Sequence, residues 1–300
     1  MEGRLRSAGA LYSIDPQPYW WWSSTERQKR RTREGHLSAL TQSPGLAELY
    51  VFHADGFVRG AAIRALSAPP ASAFEIAAIA LRLNDWVAQV RQAARDYAER
   101  TFASITPDVV AAATEHLLPQ MEVRRRWSAE DRDILTALFE RADAVAAMSK
   151  RLMETRSGPA ARHTRQLLRN PAIDSYLPAL AASSHLTSVR AVALDALIMR
   201  RARWIAGFER QWIDKRYGRS RRVPVFAERG IAHDLDVEAL VANAAQDRAS
   251  AIRKVACAWL IARMDTLSPA MRGLVAELAD DTTPSIRERA RFIRSHLPES

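Results

Sequence analysis

Residues 281–290 read Asp281-Thr282-Thr283-Pro284-Ser285-Ile286-Arg287-Glu288-Arg289-Ala290. Inside this stretch a β-branched residue is followed at once by Arg, with Ala four positions after the β-branched residue and Asp five positions before it. The same skeleton recurs as Val58-Arg59 with Ala62, Val90-Arg91 with Ala94, Val189-Arg190 with Ala193 and Ile252-Arg253 with Ala256. Asp85 and Asp247 lead two of these copies, Ser184 takes the Asp position before Val189, and Asp55 stands only three residues ahead of Val58. The chain is therefore a repeat array.

A helix entered from a tight turn accounts for each part of the skeleton. The Asp or Ser side chain can satisfy backbone N–H groups left open at the turn and the helix start. The β-branched residue and the Ala lie four positions apart, so they share one face, and the small Ala lets a neighbouring helix come close. The Arg, one position round, can reach the turn carboxylate of the adjacent unit and so build a ladder of ion pairs.

The intervals fit this reading. Val58 to Val90 is 32 residues and Ile252 to Ile286 is 34, which is the period of two-helix units. Val90 to Val189 is 99, three periods, so two degenerate units are expected between them. Val189 to Ile252 is 63, one unit plus roughly thirty residues of insertion.

The turn Asp followed by Val/Ile-Arg-x-x-Ala resembles the second helix of HEAT repeats, over about residues 45–297. That resemblance implies an all-α, right-handed α-solenoid of about six to seven helix pairs. Two families resembling that architecture do chemistry or carry cargo. HEAT-like DNA glycosylases use a basic concave surface with Trp residues and an Asp, but Trp20-Trp21-Trp22 has no adjacent Asp, so no catalytic residue carries over. HEAT-like bilin lyase relatives share the Val-Arg-Ala skeleton, and no pigment site is identifiable in this chain.

Composition agrees with a helical array: hydrophobic residues make up 48% of the 300, enough for an extended core, and Gly numbers only 11. No apolar run reaches the roughly 18 residues of a membrane span, and no apolar stretch follows the N-terminal charges as in a secretory signal. The lone Cys257 beside Ala256 has no partner for an internal disulfide and reads as a small buried apolar residue. A reducing, cytoplasmic setting is expected.

The formal charge is +10 and the pI near 10.4. Only four of the 44 basic residues are Lys, so arginine-rich coding explains part of the excess. Its location is more informative. Nine basic residues fall between 200 and 222 against Glu209 and Asp214. A shorter basic run, Arg27 to Arg33, is flanked by Glu26 and Glu34 and reads as a solvated helix face.

Along the chain, residues 1–22 form an irregular segment ending in Pro16-Gln17-Pro18-Tyr19-Trp20-Trp21-Trp22, read as an aromatic lid on the first helices, with a ligand-stacking platform as the other reading. Residues 23–300 read as one solenoid, opened by Ser23 with Glu26 as a capping box. Ser72 with Glu75 and Ser128 with Asp131 repeat that signal, and Thr106-Pro107, Ser268-Pro269 and Thr283-Pro284 pair an N-cap with a first-turn proline. The insertion covers about 204–235. No breaker but Gly207 appears from Ser188 to Gly218, so one long helix or two abutting helices are expected through Trp204, Phe208 and Trp212, then a basic loop over 218–235.

Candidate partner-binding residues are Arg200, Arg203, Arg210, Trp212, Lys215, Arg216, Tyr217, Arg219, Arg221 and Arg222. No catalytic residue, cofactor or metal site is expected. The seven histidines lack metal-ligand spacing, and neither a phosphate-cradling glycine motif nor a serine nucleophile motif occurs. The first expectation is a non-enzymatic scaffold or adaptor for a protein or peptide, an acidic one included. The alternative is a nucleic-acid-binding protein, DNA repair of the glycosylase type included.

Overall fold

The computed structural model describes residues 19–121 and 127–297, the side chains of residues 19–25 and 119 apart. Fifteen α-helices and one two-stranded antiparallel sheet make up the described chain. It divides into two compact units, residues up to 69 with 78–101, and residues 70–77 with 102 onward.

The first unit holds α1 (Tyr19–Gln42), α2 (Ala47–Tyr50), α3 (Gly56–Ala65), the end of α4 (Ala73–Leu83) and α5 (Ala88–Thr101). Helix α3 packs on α1, α2 and α5, and Val58, Ala62, Val90 and Ala94 are fully buried between these elements. The turn acids act on the helix starts: Asp55 Oδ1 accepts from Phe57 N at 2.8 Å and Asp85 Oδ1 from Val87 N at 3.0 Å. The first turn also approaches the second closely. A Cβ on Gly56 would fall 2.9 Å from Val87 Cγ2, so any larger residue there would force Val87 to shift.

Helix α1 begins at Tyr19, four residues before Ser23. Ser23 therefore lies inside the helix rather than at the expected N-cap, and Tyr19 to Trp22 are helical rather than irregular. Prolines at 16 and 18 restrict the residues before them, which leaves the aromatic run free to join the helix. The aromatic side chains, residues 1–18 and the Arg124-Arg125-Arg126 cluster lie outside the described residues.

The second unit carries α6 (Pro107–Leu117), α7 (Ala129–Phe139), α8 (Ala142–Glu154), α9 (Ala160–Leu167), α10 (Leu177–Ser183) and α11 (Thr187–Ile198). After the sheet come α12 (Val237–Ala245), α13 (Ser250–Ala262), α14 (Pro269–Leu278) and α15 (Pro284–Arg294). Ser128 and Asp131 form a reciprocal capping box on α7, and Ser268 Oγ caps α14. Helix α11 packs on α13, and α13 on α15. Leu194 and Ile198 of α11, Ile252 and Ala256 of α13 and Ile286 and Ala290 of α15 share one buried cluster there, and Val189 and Ala193 are fully buried elsewhere on α11.

The skeleton arginines join successive turns. In the first unit, Arg59 donates through Nε and Nη2 to both Asp85 oxygens at 2.9 and 2.8 Å, and through Nη1 to the carbonyls of His53 and Ala54. In the second unit, Arg190 pairs with Asp247 and Arg253 with Asp281. Arg253 Nη1 also donates to the carbonyls of Asp247 and Arg248, and Arg287 Nη1 to those of Asp281 and Thr282. Each of Arg59 and Arg253 thus ties its own turn to the next. Where the skeleton is degenerate, other hydrogen bonds stand in, such as Ser184 Oγ donating to the Leu152 carbonyl at 2.9 Å, and Arg151 Nε and Nη2 donating to the two Glu115 carboxylate oxygens, each at 3.0 Å.

The insertion departs from the expected helix and loop. Helix α11 stops at Ile198 and the chain turns at Arg200, whose φ is 52°. Residues Arg201–Asp214 then form β1 and Arg219–Gly230 form β2, paired antiparallel. The chain is thus mainly helical and not wholly so. Spacing misled the helical reading: Trp204, Phe208 and Trp212 lie four apart, and four is close to the helical repeat and also twice the strand repeat.

Cys257 is fully buried, and burial pushes its thiol pKa up. No helix among the described residues is long and apolar enough to cross a membrane.

Candidate functional site

The two strands form a ribbon whose root is locked and whose remainder is open to solvent. At the root, Ala202 and Ile231 are buried, β1 packs on α9 and α11, and Ile231 N donates to the Arg200 carbonyl at 2.9 Å. Arg229 clamps β2 to the body. Its Nη1 and Nη2 donate to Asp174 at 2.8 and 2.6 Å, and it also reaches the carbonyls of Leu168 and Asn170. At the tip, Asp214 Oδ1 accepts from Arg216 N and Tyr217 N, and Gly218 takes a φ of +63°, the conformation such a turn needs.

Pairing fixes what each face carries, because directly opposed residues share a face. Trp212 opposes Ser220, Arg210 opposes Arg222, Phe208 opposes Pro224, Ile205 opposes Phe226 and Arg203 opposes Glu228. One face therefore presents Arg203, Arg210 and Arg222 interleaved with Phe208, Trp212 and Phe226. Their contacts match: the guanidinium of Arg203 lies 4.1 Å from the Phe226 ring centroid, Arg210 4.9 Å from Trp212, and Arg222 5.1 Å from Phe208. The three rings remain more than two-fifths exposed. Glu228 offsets part of the charge at the root, where it pairs with Arg201 at 3.5 Å.

The other face is different. It carries Glu209 and Gln211 opposite Val223 and Arg221, with Arg221 Nε donating to Gln211 Oε1 at 2.8 Å. The pairing shifts between Ile205 and Gly207. This bulge turns Trp204 to the face away from Phe208 and Trp212.

The ten candidate residues all fall on this ribbon or its ends. Arg200 is the turn into β1. Arg203, Arg210 and Trp212 lie on β1, Lys215, Arg216 and Tyr217 on the tip, and Arg219, Arg221 and Arg222 on β2. Of these, Arg203, Arg210, Trp212 and Arg222 are brought together on one face, while Arg221 lies on the opposite one. Phe208, Phe226 and Arg201 were not among the candidates. An alternating reading of β2, with Ser220, Arg222, Pro224 and Phe226 on one side, is the signal that finds that face.

At the ribbon root Arg201 and Arg203 join Arg165 and Asp195 around a cavity of about 250 Å³. Asp195 is open to solvent, yet enough protein surrounds it for desolvation to be the largest influence on its carboxyl. Desolvation pushes its pKa up, against the nearby cations Arg201, Arg165 and Arg203. The ribbon face thus ends in a basic hollow with one carboxylate. No group of three or more His, Cys, Asp or Glu able to hold a metal occurs among the described residues.

Neither a protein-family model nor a curated protein matches this chain in sequence, so its functional reading rests on the ribbon and its surroundings.

Proposed function

We propose that this protein is a non-enzymatic nucleic-acid-binding protein whose β-ribbon contacts the ligand and whose helices form a right-handed HEAT-like α-solenoid. The observation that carries the proposal is the interleaving of Arg203, Arg210 and Arg222 with Phe226, Trp212 and Phe208 on one solvent-facing side of the ribbon. Guanidinium groups neutralise phosphates and release counterions, and ring faces opposite them stack unpaired bases. A two-stranded ribbon also has the width that the major groove of duplex DNA admits.

Charge on a ribbon has another use, since it keeps open strand edges from pairing with other chains. That use needs charge alone and leaves three exposed rings without a reason. The solenoid reading is supported by the five skeleton copies, the succession α11, α13, α15 and the Arg-to-Asp pairs. The single buried thiol suits a cytoplasmic location.

The test is fluorescence anisotropy with single-stranded and duplex oligonucleotides across a salt series. Log affinity should fall with log salt at about −0.9 per neutralised phosphate on duplex and about −0.7 on single strands. Changing Arg203, Arg210 and Arg222 to Ser should flatten that slope by up to about three contacts' worth. No measurable binding to either form at low salt would remove the proposal.

A protein-partner reading keeps one specific support. Each strand has an edge with no strand paired to it among the described residues, 14 and 12 residues long, to which a partner could add a strand. An acidic partner whose association slows in the same triple variant, with nucleic-acid binding absent throughout, would favour it.

A further inference from the structure

In the first unit, well away in sequence from the ribbon, the turns leading into α3 and α5 enclose a cavity of about 470 Å³, within the size range of small-molecule sites. Phe57 and Trp86 line it and are 69% and 73% exposed, an unusual state for large rings in a concave surface. Trp86 has no ring contact among the described residues. One face of Phe57 is covered by the Arg33 guanidinium at 4.1 Å.

The polar groups of the cavity divide into committed and uncommitted ones. Asp55 is committed, because it accepts from Arg33 Nε at 2.7 Å and from Phe57 N at 2.8 Å. Arg64, in the last turn of α3, is exposed and has no acceptor among the described residues. Two cations against one neutralised carboxylate leave the cavity with a net positive lining.

The walls are also held open. Gly60 lies inside α3, where glycine is an unfavourable choice. The nearest atoms a Cβ there would meet are those of the Arg64 guanidinium, at 3.7 Å, an ordinary contact, so close packing does not demand glycine. Its missing side chain leaves room beside Arg64.

We infer that this cavity binds a small planar aromatic anion, its ring against Trp86 and Phe57 and its anionic group on Arg64. An apolar ligand alone would leave the Arg64 guanidinium unused, and a bare anion would leave both rings in water. The inference is independent of the ribbon and of its ligand.

Isothermal titration of the full chain with naphthalene-1-sulfonate tests it, with naphthalene-1-methanol as the neutral analogue and inorganic phosphate as the ring-free one. Saturable one-site binding is expected. Arg64→Ser and Trp86→Ala should each weaken it about tenfold or more, as expected for losing a charge-assisted bond or a stacked ring. Naphthalene-1-methanol should bind wild type about as weakly as the sulfonate binds Arg64→Ser, and phosphate should not bind saturably. Gly60→Leu should abolish binding while Gly60→Ala retains it. Thermal unfolding should be unchanged in Arg64→Ser and Trp86→Ala, since both side chains are exposed. Equal affinity for the sulfonate and the alcohol, unchanged affinity in either exposed-residue variant, or no saturable binding at millimolar sulfonate would overturn the inference.

Discussion

Arg253 donates to both carboxylate oxygens of Asp281, from Nε at 2.6 Å and from Nη2 at 2.9 Å, so the arginine of one skeleton copy grips the acid that opens the next. Asp281 in turn accepts from Thr283 N at 2.6 Å, while its backbone carbonyl accepts from Arg287. One carboxylate therefore serves as a turn cap and as an inter-helix tie. Arg59 and Asp85 repeat the arrangement in a more enclosed setting, with both side chains under 5% exposed.

Removing one partner of that enclosed pair should be costly, because the other charge stays buried and unpaired. Asp85→Ala is expected to destabilise by about 3–5 kcal/mol. Glu26→Ala breaks the exposed Lys29 pair and should cost no more than about 0.5 kcal/mol. Urea unfolding of the two variants checks the contrast, and similar losses would refute the structural weight placed on Asp85.

Stability should fall in acid, for a definite reason. The Arg253 hydrogen bond holds the Asp281 carboxyl below its ordinary value, against burial. For Asp85, burial acts upward but is outweighed by hydrogen bonds from Arg59 and Val87 and by the charges of Arg59 and Arg82. Both folded pKa values are depressed, so their contribution is present above the ordinary carboxylate pKa of 3.8 and is lost as pH falls through the lower folded values. Thermal melts from pH 7 to pH 2 should show the steepest decline below about pH 4.

Asp195 has the opposite sign. Desolvation by the surrounding protein raises its folded pKa although the residue is open to solvent, so its ionised form at neutral pH opposes folding only modestly. Asp195→Asn should raise the melting temperature at pH 7, and this gain should fade as pH falls through the raised pKa, where the wild-type carboxyl takes up a proton. A gain that is constant with pH would contradict the assignment.

Close helix contact at the skeleton alanines predicts a steric effect. Ala256 is fully buried on α13, which packs on both α11 and α15. Ala256→Leu should overpack that contact and cost about 1–3 kcal/mol. The exposed change Arg291→Leu on α15 should stay within about 0.5 kcal/mol, and denaturant unfolding separates the two.

The ribbon root predicts a local effect instead. Arg229→Ala removes the clamp on Asp174 and the carbonyls of Leu168 and Asn170. Amide hydrogen exchange should quicken along Arg201–Asp214 and Arg219–Gly230, with little change in α13, α14 and α15. Equal quickening everywhere would mean that Arg229 supports the unit as a whole.

The helices were legible in the sequence because their signals are local. Asp85, Ser128 and Ser268 act on N–H groups two or three residues away, and Val189 and Ala193 share a face by backbone geometry alone. The reach of Arg59 to Asp85 and of Arg253 to Asp281 follows from the repeat itself. The basic excess at 200–222 likewise falls on the segment that forms the ribbon, although its spacing did not show the strands.

Tertiary structure decided the rest, where the governing contacts lie far apart in the chain. A four-residue spacing of Trp204, Phe208 and Trp212 suits helix and strand alike, and only the pairing of Arg210 with Arg222 selects the strand. The bulge after Ile205, set by that pairing, then decides which aromatic residues share the cationic face. Asp195 meets Arg165 and Arg201, and Trp86 shares a cavity with Arg64, because packed helices converge there. Local propensity and periodicity record which residues a segment exposes, but not which distant segment it will face.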